Sequence, residues 1–190
     1  MLKVSPRLIS RKQTAQLLAG PYVKVLADHE KAISDIYNVF AEIQRPLKSF
    51  WKDLANEELV HRTIIETMMV RFGAGTLQFK RPPFLYKAIL ESLEWVYSKA
   101  REVLRTGISI RDALDYAQTI EITMVESQFF EVLDEDDEET RKELVKLDQF
   151  NWNHIRRIEK EAGRLRWRLF GKRIYRVGIG PSAAAQPAVE

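Results

Sequence analysis

Two of the three histidines in this chain stand three residues after a polar residue: His61 follows Glu58, and His154 follows Asn151. On a helix, residues three apart share a face, with Cβ atoms about 5–6 Å from each other. Glu58 and His61 can then reach a single cation. Carboxylate oxygen and imidazole nitrogen are ligands for iron or manganese, and zinc accepts both as well. Glu30, Glu121 and Glu126, together with Tyr37, are further polar residues set among apolar ones.

Helices must position these groups. The spacing predicts one from about Tyr22 to Gln44, broken by Pro46, and a second from Leu47 or Lys48 to Phe72, stopped at Gly73-Ala74-Gly75. Thr76 to Pro83 reads as a loop. Another helix is predicted from Phe84 to Arg105, ending at Thr106-Gly107. Ser109 then caps one from Ile110 to about Leu133. The acidic run Asp134 to Glu139 reads as a solvated turn whose charges favour the start of the next helix. That last helix runs from near Glu138 to Ala162 or beyond. Apolar and polar residues rarely alternate at period two, so the expectation is all-α.

A bundle helix buries positions spaced alternately three and four apart. In the first helix that seam is Leu26, Glu30, Ile33, Tyr37, Phe40 and Gln44. In the second it is Trp51, Leu54, Glu58, His61, Ile65, Met68 and Phe72. The helix after Ser109 aligns Ile110, Leu114, Ala117 and Glu121, with Ile122, Glu126, Phe129 and Leu133 on a neighbouring stripe. The last aligns Leu144, Leu147, Asn151, His154, Ile158 and Leu165. Glu121 and Glu126 are about 140° apart around their helix, so one of them at most is central unless the site is open on that side. An unpaired buried carboxylate costs several kcal/mol, and several in one layer repel; a divalent cation resolves both costs. His29 is rotated about 100° from Glu30 and is expected at the surface.

Composition narrows the chemistry. With no cysteine, disulfides, thiolate zinc sites and iron–sulfur ligation are excluded. A net charge of +3 is too small to argue for nucleic acid by itself. No apolar run reaches the roughly 18 residues needed to span a bilayer, and Met1 to Arg11 lacks an apolar core of signal-peptide length. The expectation is a soluble cytoplasmic protein.

The motifs resemble those of the ferritin-like superfamily, in particular its rubrerythrin-related members. Glu58-Leu59-Val60-His61 is similar to the family's first Glu-x-x-His, and Asp148 to His154 looks like the second. Glu30 and Tyr37 match the first-helix glutamate and its tyrosine partner, and Ala113 to Glu121 is similar to the family's third bundle helix. The family recipe takes one Glu from each of two helices and a Glu-x-x-His from each of the other two. Asn151 stands where the second of those motifs has glutamate, and Thr123 where full members are acidic.

The resemblance covers roughly residues 27 to 161. It implies an antiparallel ferritin-like four-helix bundle, expected as up-down-up-down, with an extra helix between the second and third. The expected organisation is an arm at 1–21, the bundle at 22–170 and a flexible tail at 171–190. The implied metal ligands are Glu30, Glu58, His61, Glu121, Glu126 and His154, with Tyr37 as a catalytic or tuning residue beside Asn151. The cofactor would be iron, as a dinuclear centre or a single ion, with manganese or zinc as alternatives. The implied activity is peroxide reduction or ferrous iron oxidation. Its partners would be O2 or peroxide, an external electron donor, and a second copy in a homodimer.

The competing reading is a scaffold or interaction bundle that has lost its site. Its contact surface would be the basic aromatic segment 164–176, where Arg164, Arg166, Arg168, Lys172, Arg173 and Arg176 interleave with Trp167, Phe170 and Tyr175. Nucleic-acid or membrane contact through that segment is the less favoured use; a helix end packing its aromatics on the protein accounts for it more simply.

Overall fold

The computed structural model describes residues 11–73, 86–126 and 138–174, and these are helical apart from short connections. The helices are α1 (Arg11–Ile43), α2 (Lys48–Gly73), α3 (Tyr86–Thr106), α4 (Ile110–Glu126) and α5 (Glu138–Ile174). There is no strand among the described residues. The loop expected at Thr76–Pro83, the acidic residues 134–137 and the tail beyond 174 lie outside them. α1 begins well before Tyr22 and continues through Pro21, so part of the expected arm is helix. α5 likewise passes the expected boundary at 170.

Local chemistry explains the breaks. Pro46 lies within a single 3-10 turn, Arg45–Leu47, between α1 and α2. Gly107 ends α3 with φ of 73°, a left-handed conformation that costs glycine nothing, and its N–H donates to the Val103 carbonyl at 2.8 Å. Ser109 caps α4: its Oγ accepts from the Asp112 N–H at 3.1 Å and donates to the Asp112 carboxylate at 2.7 Å.

The pairing of residues gives the helix directions. Along α1 and α2, Tyr37 meets Trp51, Ser34 meets Ala55 and Glu30 meets His61, so these two helices are antiparallel. Phe40 with Tyr116 and Tyr37 with Glu121 make α4 antiparallel to α1. His154 with Glu58 and Glu143 with Arg71 make α5 antiparallel to α2. Tyr22 with Tyr86 and His29 with Ser92 make α3 parallel to α1. The order is therefore up-down, then α3 up, then down-up. The up-down-up-down order expected from the sequence is wrong: α3 carries the chain back along α1, so α4 starts from the same end as α2.

The seams are the core. Leu26, Ile33, Tyr37, Phe40, Trp51, Leu54, Ile65, Met68, Leu114, Ala117, Leu144, Leu147 and Ile158 are all buried. Tyr37, Phe40 and Trp51 pack ring on ring, with centroids 5.0 to 6.3 Å apart. Each large apolar side chain so buried contributes about 1.5–3 kcal/mol. Gln44 is the polar tie at this end. Its Oε1 accepts from Trp51 Nε1 at 2.8 Å, and its Nε2 donates to the Ser109 carbonyl at 3.0 Å. One side chain thus joins the α1–α2 turn to the α3–α4 turn.

His29 corrects the sequence reading. It is fully buried, not at the surface, because α3 lies over that side of α1, and its Nε2 is 2.8 Å from Ser92 Oγ. Burial lowers its pKa to about 4, against a weaker pull upward from Glu30, so the ring is neutral.

Candidate metal centre

Further along the same seams the polar residues meet. Glu30 from α1, Glu58 and His61 from α2, Glu121 from α4, and His154 from α5 are each at most 3% exposed. His61 Nδ1 lies 2.8 Å from Glu58 Oε2 and 3.7 Å from Glu30 Oε2. His154 Nδ1 lies 2.9 Å from Glu58 Oε1 and 3.3 Å from Glu121 Oε1. The two imidazoles stack with centroids 5.2 Å apart, and Glu58 bridges them.

These close approaches are ion pairs when the imidazoles are protonated. His61 Nδ1 and Nε2, His154 Nδ1 and Glu58 Oε1 are buried without a hydrogen-bond partner. Orphaned buried polar atoms are rare in folded proteins, and each costs roughly 1–3 kcal/mol. One ligand atom from each of Glu58, His61 and His154 falls within 4.8 Å of the others, so this buried group could hold a metal ion. The donor set fits a divalent cation.

The electrostatics agree. Burial opposes charge on both imidazoles, yet the surrounding carboxylates, Glu58 first, outweigh it and hold the pKa of His61 at about 10 and of His154 at about 12. Burial pushes Glu30 up to about 7, in spite of its contact with His61. Burial and Glu121 push Glu58 upward, but the two imidazoles pull it below the ordinary carboxylate value. In the metal-free protein, protons on the histidines therefore supply the positive charge that a cation would otherwise bring.

Tyr37 donates from its hydroxyl to Glu121 Oε1 at 2.7 Å, which fixes that carboxylate from the α1 side. Asn151 is buried on α5, one turn before His154, and adds no charge. Thr123 donates to the Thr119 carbonyl of its own helix at 2.8 Å. Glu126 is the last residue of α4, and its side chain lies outside the described residues.

Sequence reasoning missed Glu57. It precedes Glu58 and is rotated about 100° off the α2 seam. Its Oε2 accepts from His154 Nε2 at 2.8 Å, while Arg157 donates to its two oxygens at 2.6 and 2.7 Å. The bond to His154, then Arg157, lowers the Glu57 pKa to about 2. A carboxylate on Nε2 keeps a proton on that nitrogen and leaves Nδ1, the atom facing Glu58 and Glu121, available as a ligand. The signal was present in the chain: an acid beside Glu58, and Arg157 one turn after His154. Only the fold brings them together. No family model matches this chain, and no curated protein or solved structure is found similar to it.

Proposed function

We propose that this chain is a metal-binding protein built as a ferritin-like four-helix bundle of α1, α2, α4 and α5, with α3 as the added helix, and that it acts as a non-haem iron oxidoreductase. The observation that carries the reading is the set of orphaned donors. His61 Nδ1 and Nε2, His154 Nδ1 and Glu58 Oε1 are buried with no aligned hydrogen bond, among three buried carboxylates from three helices. Their imidazole–carboxylate contacts are ion pairs when the rings are protonated, and a cation could take the place of those protons.

Glu58, His61 and His154 would hold the ion, with Glu30 beside His61 and Glu121 beside His154 as further ligands. When bound, iron would supply electrons to an O–O bond or be oxidised itself, which are the chemistries of peroxide reduction and ferrous oxidation. The chain supplies the rest. Tyr37 aims Glu121, Glu57 keeps the His154 proton on Nε2, and Phe150 covers the His61 ring with centroids 4.9 Å apart. With no cysteine to ligate an iron–sulfur centre, electrons come from a separate donor. Pairing as a homodimer rests on the resemblance alone, and a cytoplasmic location on the reading of the sequence. Among the described residues, no helix is long and apolar enough to cross a membrane.

Asn151 favours one ion over a symmetric pair, because the α5 half-site lacks the carboxylate that would neutralise a second. Elemental analysis of protein purified without chelator and loaded with ferrous iron under anaerobic conditions tests the reading. One or two irons per chain, lost in Glu58→Ala with the helical circular dichroism intact, support it. A chain that takes up no metal under those conditions overturns it in favour of the scaffold.

A further inference from the structure

Directly outside His154 the surface is hollow. A concavity of about 490 Å³ is lined by Glu57, Phe150, Asn153, Arg156, Arg157 and Lys160. It is open to solvent, and its size falls within the range of small-molecule sites. Three cations face one carboxylate here, and that carboxylate is already committed, since Glu57 is held by Arg157 and His154. Among the described residues, Arg156 makes only a long contact, 3.4 Å, to Asn153 Oδ1, and Lys160 makes no ion pair. The asparagine contact leaves its amide N–H groups free.

We propose that this hollow binds a small organic anion, its phosphate or carboxylate head held by Arg156, Lys160 and the Asn153 amide, and its apolar part against Phe150. A solvated basic face would need neither the concavity nor the ring. Guanidinium groups match tetrahedral and planar oxyanions with paired N–H donors. Phe150 is half-buried between the hollow and the ring of His61, so one side chain serves as wall to both sites. Arg157 is shared as well: an anion that engages it draws on the same guanidinium that holds Glu57.

The site needs no metal, so it stands or falls apart from the proposed function. The test is calorimetric titration of the full chain as purified with inorganic phosphate and with phenyl phosphate. Phenyl phosphate is expected to bind several-fold more tightly than phosphate. Arg156→Ala with Lys160→Ala is expected to weaken both tenfold or more without changing metal content. Phe150→Leu is expected to erase the preference for the phenyl group. Glu58→Ala, which removes the bridging carboxylate, is expected to leave both affinities unchanged. If neither probe binds with a dissociation constant below about 10 mM, the proposal is wrong. It also fails if the arginine–lysine double variant binds both probes normally. Binding lost in Glu58→Ala but kept in the double variant would place the anion on the metal centre and overturn it as well.

Discussion

The carboxylate of Glu57 lies 2.8 Å from Nε2 of His154, on the opposite side of the ring from Glu58, whose Oε1 is 2.9 Å from Nδ1. Two neighbours in the chain thus address the two nitrogens of one imidazole. The outer one is tied to Arg157 and half-exposed; the inner one is buried between the two imidazoles.

Glu57→Gln separates these roles. A glutamine amide can donate to Nε2, which pushes the histidine proton onto Nδ1, the atom turned toward Glu58. The fold should survive, because Glu57 is at the protein's surface. Metal affinity is expected to fall about 10–100-fold, as is common when the group orienting a histidine ligand is lost. Competition with a chromophoric chelator reads this directly, and an unchanged affinity would remove Glu57 from the centre.

Glu30→Gln should trade binding for stability. Burial raises the Glu30 pKa to about 7, so at pH 8 the ionised form is held in an unfavourable place. The amide keeps the shape without the charge. Metal-free protein is expected to gain roughly 0.5–2 kcal/mol in urea unfolding at pH 8, the usual size of gains at strained functional positions. The same variant should bind metal more weakly. A loss of stability in the metal-free state would mean that Glu30 is a structural partner of His61.

The pH dependence should differ in sign between the two states. His61 and His154 have folded pKa values raised from 6.5 to about 10 and about 12. Their contribution is complete below pH 6.5 and is lost as pH rises through those values. Glu30, an acid raised from 4.5 to about 7, loses stability in the same direction, between those two values. Glu57, lowered from 4.5 to about 2, contributes above pH 4.5 and loses it on acidification. His29, lowered from 6.5 to about 4, loses stability as pH falls below 6.5 and so offsets Glu30 across that range; metal-free protein is therefore expected to be most stable near pH 4.5–6.5 and to weaken toward pH 10. Metal affinity should rise with pH, because each ligand histidine must give up a proton. Denaturation midpoints in chelator at pH 6 and 9.5, and apparent dissociation constants at pH 6 and 8, check the two slopes.

Gln44→Ala tests the polar tie remote from the centre. It leaves the buried Trp51 N–H without its acceptor and removes the tie to the Ser109 carbonyl, which keeps the Ala113 N–H at 3.0 Å. A cost of about 2–3 kcal/mol in chemical denaturation is expected from an unsatisfied buried donor plus the small cavity. Metal binding should be unchanged. A coupled loss of metal would show that this turn also sets the register of the ligand helices.

What could be read from the chain alone was periodic. Glu30, Glu58, His61, Glu121 and His154 lie at three- and four-residue spacings among apolar residues, and a helix that buries such a seam must bury them too. Helix ends at Gly107, Ser109 and Lys48 were legible for the same kind of reason, since turn and cap chemistry is local. What only the tertiary structure decided depended on which helix covers which. His29 is buried because α3 lies on α1, and no spacing within α1 announces that neighbour. The chain's direction through α4 was set by the return path of α3. Glu57 became part of the centre through residues 97 and 100 positions away. A helical repeat records which face is apolar; it carries no record of what packs against the polar flank, and that flank is where His154 found the carboxylate for its Nε2.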